Sequence, residues 1–78
     1  MPELMLYYFP SCPYCRLVLD CLDRLDKKIP MRDIQAEDGA RDELIKIGGK
    51  GQVPCLVIDG EPMYESGDIV TWLEANAG

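Results

Sequence analysis

The chain has 78 residues, 47% of them hydrophobic and 28% charged, with four cysteines and no histidine. That size predicts a single domain over 1–78 with no deep cavity, because one small core only just offsets the entropy of folding. Eight basic against fourteen acidic residues, a net charge of −6, exclude an electrostatic nucleic-acid binder, and the missing histidine excludes serine-type triads, Cys–His proteases and Cys2His2 zinc sites.

The start, Met1-Pro2-Glu3, has neither the basic residues nor the long apolar stretch of a signal peptide. No segment reaches membrane-spanning length, so a cytoplasmic protein with no membrane partner is expected. Leu4 to Phe9 is a continuous apolar run, the pattern of a central strand covered on both faces. From Pro13 to about Lys28, Leu17, Val18, Cys21, Leu22 and Leu25 recur at helical spacing, with Arg16, Asp20, Asp23, Arg24 and Asp26 opposite, which predicts an amphipathic helix. Ile29 to Ile34 predicts a short strand, parallel to the first and joined to it by a right-handed crossover.

Asp38 or Gly39 opens a second helix through Ala40, Leu44, Ile45 and Ile47, ended by Gly48 and Gly49 with positive φ. Val53 to Ile58 is a further strand. Asp59-Gly60 makes a two-residue hairpin turn into Glu61 to Tyr64, which Pro62 confines to a sheet edge. Ser66 caps a last helix carrying Ile69, Val70, Trp72 and Leu73. The order β-α-β-α-β-β-α predicts an α/β fold with a four-stranded mixed sheet.

The strongest chemical signal is Cys12-Pro13-Tyr14-Cys15, placed where the first strand meets the first helix. At a helix N-terminus, unpaired N–H groups and the dipole favour an anion, so Cys12 is expected as a thiolate. Pro13 suits the first helical position. Cys15, one turn on, points the same way and can attack a mixed disulfide formed at Cys12. A zinc site would need a second ligand pair, and Cys21 and Cys55 stand apart, so no metal is expected. Cys21 falls on the apolar stripe and Cys55 alternates into the core, as small buried residues.

Tyr7-Tyr8-Phe9-Pro10-Ser11 leading into CPYC resembles the active-site entry of the glutaredoxins, whose dithiol motif is CPYC. Gln52-Val53-Pro54 stands where that family carries Thr-Val-Pro, and Ser66-Gly67-Asp68 where it carries Gly-x-Asp. The resemblance spans essentially the whole chain and implies the thioredoxin-like, minimal glutaredoxin fold, a monomer, and Cys12 and Cys15 as catalytic residues. It further implies glutathione as co-substrate, held by Tyr14, Gln52, the Val53 backbone beside a cis Pro54, and Glu65, Ser66, Gly67 and Asp68 at the last helix. Disulfide-bearing or glutathionylated proteins are the implied partners.

Tyr64-Glu65-Ser66 followed by Ile69 and Trp72-Leu73 is also similar to the Glu-Ser motif of the glutathione transferase N-terminal domain, which grips the γ-glutamyl group. A complete transferase needs a helical second domain and is not expected in a chain ending at Gly78. Phe9 stands where glutaredoxins usually have Lys, and Gly51 where they often have Arg; Lys50 or Arg16 are the available substitutes. Two alternatives stay open: an electron donor reduced by thioredoxin reductase, and a glutathione-ligated iron–sulfur carrier, against which Tyr14 counts.

Overall fold

The computed structural model describes residues 2–76. In chain order the elements are β1 (Leu4–Tyr8), α1 (Pro13–Arg24), β2 (Met31–Asp33), α2 (Ala40–Gly48), β3 (Cys55–Ile58), β4 (Glu61–Met63) and α3 (Ser66–Ala75). The strands form one mixed sheet in the order β2-β1-β3-β4. β1 pairs parallel with β2 and antiparallel with β3, and β4 closes the hairpin on β3. This is the expected α/β, thioredoxin-like architecture.

Strand alternation decides which helix covers which face. Leu6 and its cross-strand partner Leu56 point to one side, where they meet Val18, Cys21 and Leu22 of α1 and Ile69 and Leu73 of α3. Tyr7, Cys55 and Val57 point to the other side and meet Leu44 of α2. Each fully buried aliphatic side chain contributes about 1.5–3 kcal/mol, and Leu6, Val18, Leu44, Leu56, Ile69 and Leu73 are all inaccessible to solvent. Cys21 and Cys55 are core residues as expected.

Several ends and faces differ from the sequence expectation. α1 stops at Arg24 rather than near Lys28, because Asp26 adopts φ 51° and closes a Schellman turn. There the Lys27 N–H donates to the Leu22 carbonyl (2.9 Å) and the Asp26 N–H to that of Asp23 (3.0 Å). Leu17, expected on the buried stripe, is 54% exposed. β2 shortens to three residues. Glu65, with extended backbone, caps α3, and Ser66 is its first helical residue. Gly49 alone supplies the positive φ that ends α2; Gly48 remains helical. Asp59 and Gly60, with φ of 50° and 86°, form the expected hairpin turn.

Candidate active site

The two cysteines of CPYC occupy different positions on one helix start. Cys12 is the N-cap of α1, extended at φ −78° and ψ 123°, with Pro13 opening the helix. Its N–H donates to the Phe9 carbonyl (3.2 Å), and its carbonyl accepts the Arg16 N–H (3.0 Å). That pair of bonds pins the sulfur-bearing residue at the end of the helix, where N–H groups lack partners. Cys12 is 7% exposed, whereas Cys15 is fully buried one turn further in. The Cys15 thiol is pushed up to about 12, first by burial, then by its hydrogen bond to Cys12 and the charge there, while the Phe9 backbone opposes the shift. Cys15 is therefore a protonated thiol held against Cys12 at neutral pH.

A shallow cavity of about 270 Å³ opens at this end of the sheet. Tyr14, Gln52, Val53, Pro54, Tyr64, Glu65 and Ser66 line it. The Val53–Pro54 peptide bond is cis, as the resemblance implies. Three chain segments far apart in sequence thus meet: the first turn of α1, the loop before β3, and the junction of β4 with α3. Six of the expected glutathione residues lie together in the lining. Gly67 and Asp68 sit in the exposed first turn of α3 outside it.

Tyr64 is the lining residue that sequence reasoning placed only in a strand and a motif. It lies just past β4, and its ring packs against Gly48 at the end of α2, where a Cβ would collide with the hydroxyl and come within 2.7 Å of Cζ. Its hydroxyl donates to the Lys50 carbonyl (3.2 Å), and the Lys50 ammonium lies 4.4 Å from the ring centroid. Tyr64 thereby ties the loop before β3 to β4. Burial pushes the Cys55 thiol beneath it up, opposed by the Met63 backbone, the Tyr64 hydroxyl and the Lys50 charge. The only sequence signal for this role was a large aromatic next to Glu65-Ser66.

Residues 6–78 match the model of the glutathione S-transferase N-terminal domain. The chain belongs to that family. No curated protein sequence matches it. Among solved structures, this transferase-type domain is similar to a glutathione transferase of Bombyx mori, with 26% identity and a TM-score of 0.78 over 97% of the chain and 36% of the other. It is similar to a mutant of the thioredoxin-like protein BC3987, with 26% identity and a TM-score of 0.76 over 95% of this chain and 94% of that one. Oxidized glutaredoxin 2 of Chlamydomonas reinhardtii shares the fold, at 20% identity and a TM-score of 0.69 over 97% and 75% of the two chains. The domain spans about a third of the length of the Bombyx transferase.

Proposed function

We propose that the chain is a glutathione-dependent thiol–disulfide oxidoreductase that reduces glutathione mixed disulfides and protein disulfides. The observation that carries this reading is the buried, protonated Cys15 thiol against Cys12 at a helix start. A cavity rimmed by Tyr14, Val53 and Ser66 at the same end supports it. The family to which the chain belongs, and the oxidoreductase fold shared with a glutaredoxin, support the same choice. At about 270 Å³ the cavity lies below the usual size of an enclosed small-molecule pocket, in keeping with an open groove for a tripeptide disulfide.

The Cys12 thiolate attacks the glutathionyl sulfur of a mixed disulfide; a Cys12–glutathione S–S bond forms as the protein–glutathione bond breaks, and the protein thiolate leaves and takes a proton. A second glutathione thiolate attacks that adduct, releasing oxidised glutathione and restoring Cys12. One free glutathione thiol is consumed per mixed disulfide, the other half of the oxidised glutathione being the glutathionyl unit of the substrate; two are consumed when a protein disulfide is the substrate. With a protein disulfide, Cys12 forms the mixed disulfide and Cys15, once deprotonated, resolves it, leaving a Cys12–Cys15 disulfide for glutathione to reduce. In this reading the Val53 backbone and the first turn of α3 hold the peptide, the latter through N–H groups at Ser66 and Gly67 facing a carboxylate and Asp68 facing the ammonium.

The test is turnover of a glutathione mixed disulfide by the purified chain, coupled to glutathione and glutathione reductase, with thioredoxin reductase in parallel. Turnover with glutathione is expected. Turnover with thioredoxin reductase alone would establish the second reading, a thioredoxin-like electron donor. That reading is favoured by a cavity lining without a cation and by the near full-length match to a thioredoxin-like protein.

A further inference from the structure

A second, wider cavity of about 960 Å³ opens at the end of the sheet away from Cys12, and the chemistry proposed above makes no use of it. Leu4 and Met5 of β1, Ile29 and Pro30 before β2, Val57 of β3 and Trp72 of α3 give it apolar walls. Glu3 and Asp26 on its rim are matched by Lys27 and Lys28, so the rim selects neither sign of charge. Its volume falls within the range of ligand sites, about 300–1,000 Å³.

Both sides of the cavity are fastened. The Glu3 N–H donates to Asp59 Oδ1 (2.7 Å) and the Asp59 N–H to the Glu3 carbonyl (2.8 Å), tying the start of β1 to the β3–β4 turn. On the other side the Lys27 ammonium donates to the Asn76 carbonyl (3.4 Å) and the Asn76 side-chain amide to the Trp72 carbonyl (2.8 Å), joining the exit of α1 to the end of α3.

Between these sides the ladder joining β1 to β2 breaks off. The Leu6 N–H donates to the Pro30 carbonyl (3.0 Å) and the Ile34 N–H to the Tyr8 carbonyl (2.9 Å), so the even-numbered residues of β1 turn their backbone groups toward β2. Leu4 is in the same phase and faces the same side. Continuing the parallel register of Leu6 with Met31 would give its N–H the Lys28 carbonyl and its carbonyl the nitrogen of Pro30. Proline has no N–H to give. No bond from the Leu4 N–H to the Lys28 carbonyl forms among the described residues either. Leu4 thus presents a strand-edge donor and acceptor at a cavity with apolar walls.

We propose that this cavity binds an uncharged, extended segment of a partner polypeptide, which adds to Leu4 as a short strand and packs an apolar side chain against Trp72. Main-chain hydrogen bonds to a sheet edge combine with pockets for side chains in this mode of recognition, and the cavity supplies both. A purely apolar molecule would leave the Leu4 pair unmet, and the balanced rim favours a segment without net charge. The site is independent of the glutathione reading. CPYC lies beyond the other end of β1, so a polypeptide held here leaves the dithiol uncovered.

The experiment titrates the purified chain with the blocked pentapeptide N-acetyl-Ser-Val-Leu-Val-Ser-amide and with the same peptide N-methylated at every amide. Trp72 is the chain's one tryptophan, so its fluorescence reports on this cavity, and amide NMR spectra of isotope-labelled chain follow Leu4. A saturable change in Trp72 emission is expected, with the Leu4 amide resonance shifting in step. N-methylation should weaken binding about fivefold, the size of one ordinary hydrogen bond. Pro30→Ala, its folding checked by circular dichroism, restores a donor opposite the Leu4 carbonyl and should weaken the unmodified peptide by about the same factor. Equal affinity for the two peptides, or undiminished affinity in Pro30→Ala, would overturn the assignment and leave only an unselective apolar cavity. No saturable change at millimolar peptide would overturn it too, as would resonance shifts confined to the neighbourhood of Tyr14 and Gln52, which would place the peptide in the groove beside Cys12 instead.

Discussion

Replacing Tyr7 by Phe removes a single hydroxyl from the joint between β1 and α2. That hydroxyl donates to Glu43 Oε1 at 2.6 Å, and Arg32 Nη2 donates to the other carboxylate oxygen at 3.1 Å. A hydrogen bond to a charged group contributes about 1.5–3 kcal/mol when well buried. Here the Tyr7 side is buried, but the Glu43 side chain is 43% exposed and keeps Arg32, so water recovers part of the loss. The expected destabilisation is about 1 kcal/mol, which in a domain of this size lowers Tm by about 4–8 °C. Thermal unfolding followed by circular dichroism reads this directly, and urea melts should show a lower midpoint at constant slope. Glu43→Gln and the double variant complete a cycle in which the two losses should not add. Full additivity, or an unchanged Tm in Tyr7→Phe, would refute the view that this bond fastens α2 to the sheet.

The remaining expectations concern the thiols, pH and the seat of Tyr64. Cys15→Ser should retain reduction of glutathione mixed disulfides and lose most reduction of protein disulfides, while Cys12→Ser loses both; an inactive Cys15→Ser in the first assay would break the division of labour. The Cys15 thiol, raised from 9.0 to about 12, and the Tyr7 hydroxyl, raised from 10.0 to about 12 by burial and then by Glu43, both favour the protonated folded state. Their contribution to stability is intact below the unfolded-state values and is lost as pH rises toward about 12, so urea midpoints should fall steadily between pH 9 and 12. A flat profile there would contradict the burial of these groups. Gly48→Ala gains roughly 1 kcal/mol of helix propensity but displaces Tyr64, so a net loss of stability is expected; if Tyr64→Ala in the same chain does not turn that loss into a gain, the contact is not its cause.

The order of elements was readable because each carries its own period: the apolar run at Leu4 to Phe9, the helical stripe through Val18 and Leu22, the Asp59-Gly60 turn. Their ends were less so. Nothing in the pattern around Lys27 and Lys28 betrays that Asp26 adopts a left-handed conformation, a choice that Asp tolerates without demanding. Ser66 is a good capping residue displaced by Glu65 because the backbone turns one position earlier. The cysteines and the Val53-Pro54 loop announce themselves by motif, whereas Gly48 under Tyr64, and Arg41 over Gly51, are contacts between elements that no local spacing encodes. In both cases a glycine makes room for another residue's side chain.

The antiparallel register that sets Leu4 opposite Ile58 and Tyr7 opposite Cys55 has a consequence for how the chain acquires selectivity. CPYC follows β1 directly, whereas the loop with Pro54 and the Glu65-Ser66 junction flank the β3–β4 hairpin. The cavity exists only once β1 and β3 have paired across the intervening α1, β2 and α2, a closure whose entropy must be met before those contacts form. Before that step the chain is a flexible dithiol that can exchange with any accessible disulfide; after it, the same sulfurs sit beside a shaped groove. In the proposed oxidoreductase, discrimination between substrates would be gained in the same long-range pairing that completes the fold, and a destabilised variant should become promiscuous before it becomes inert.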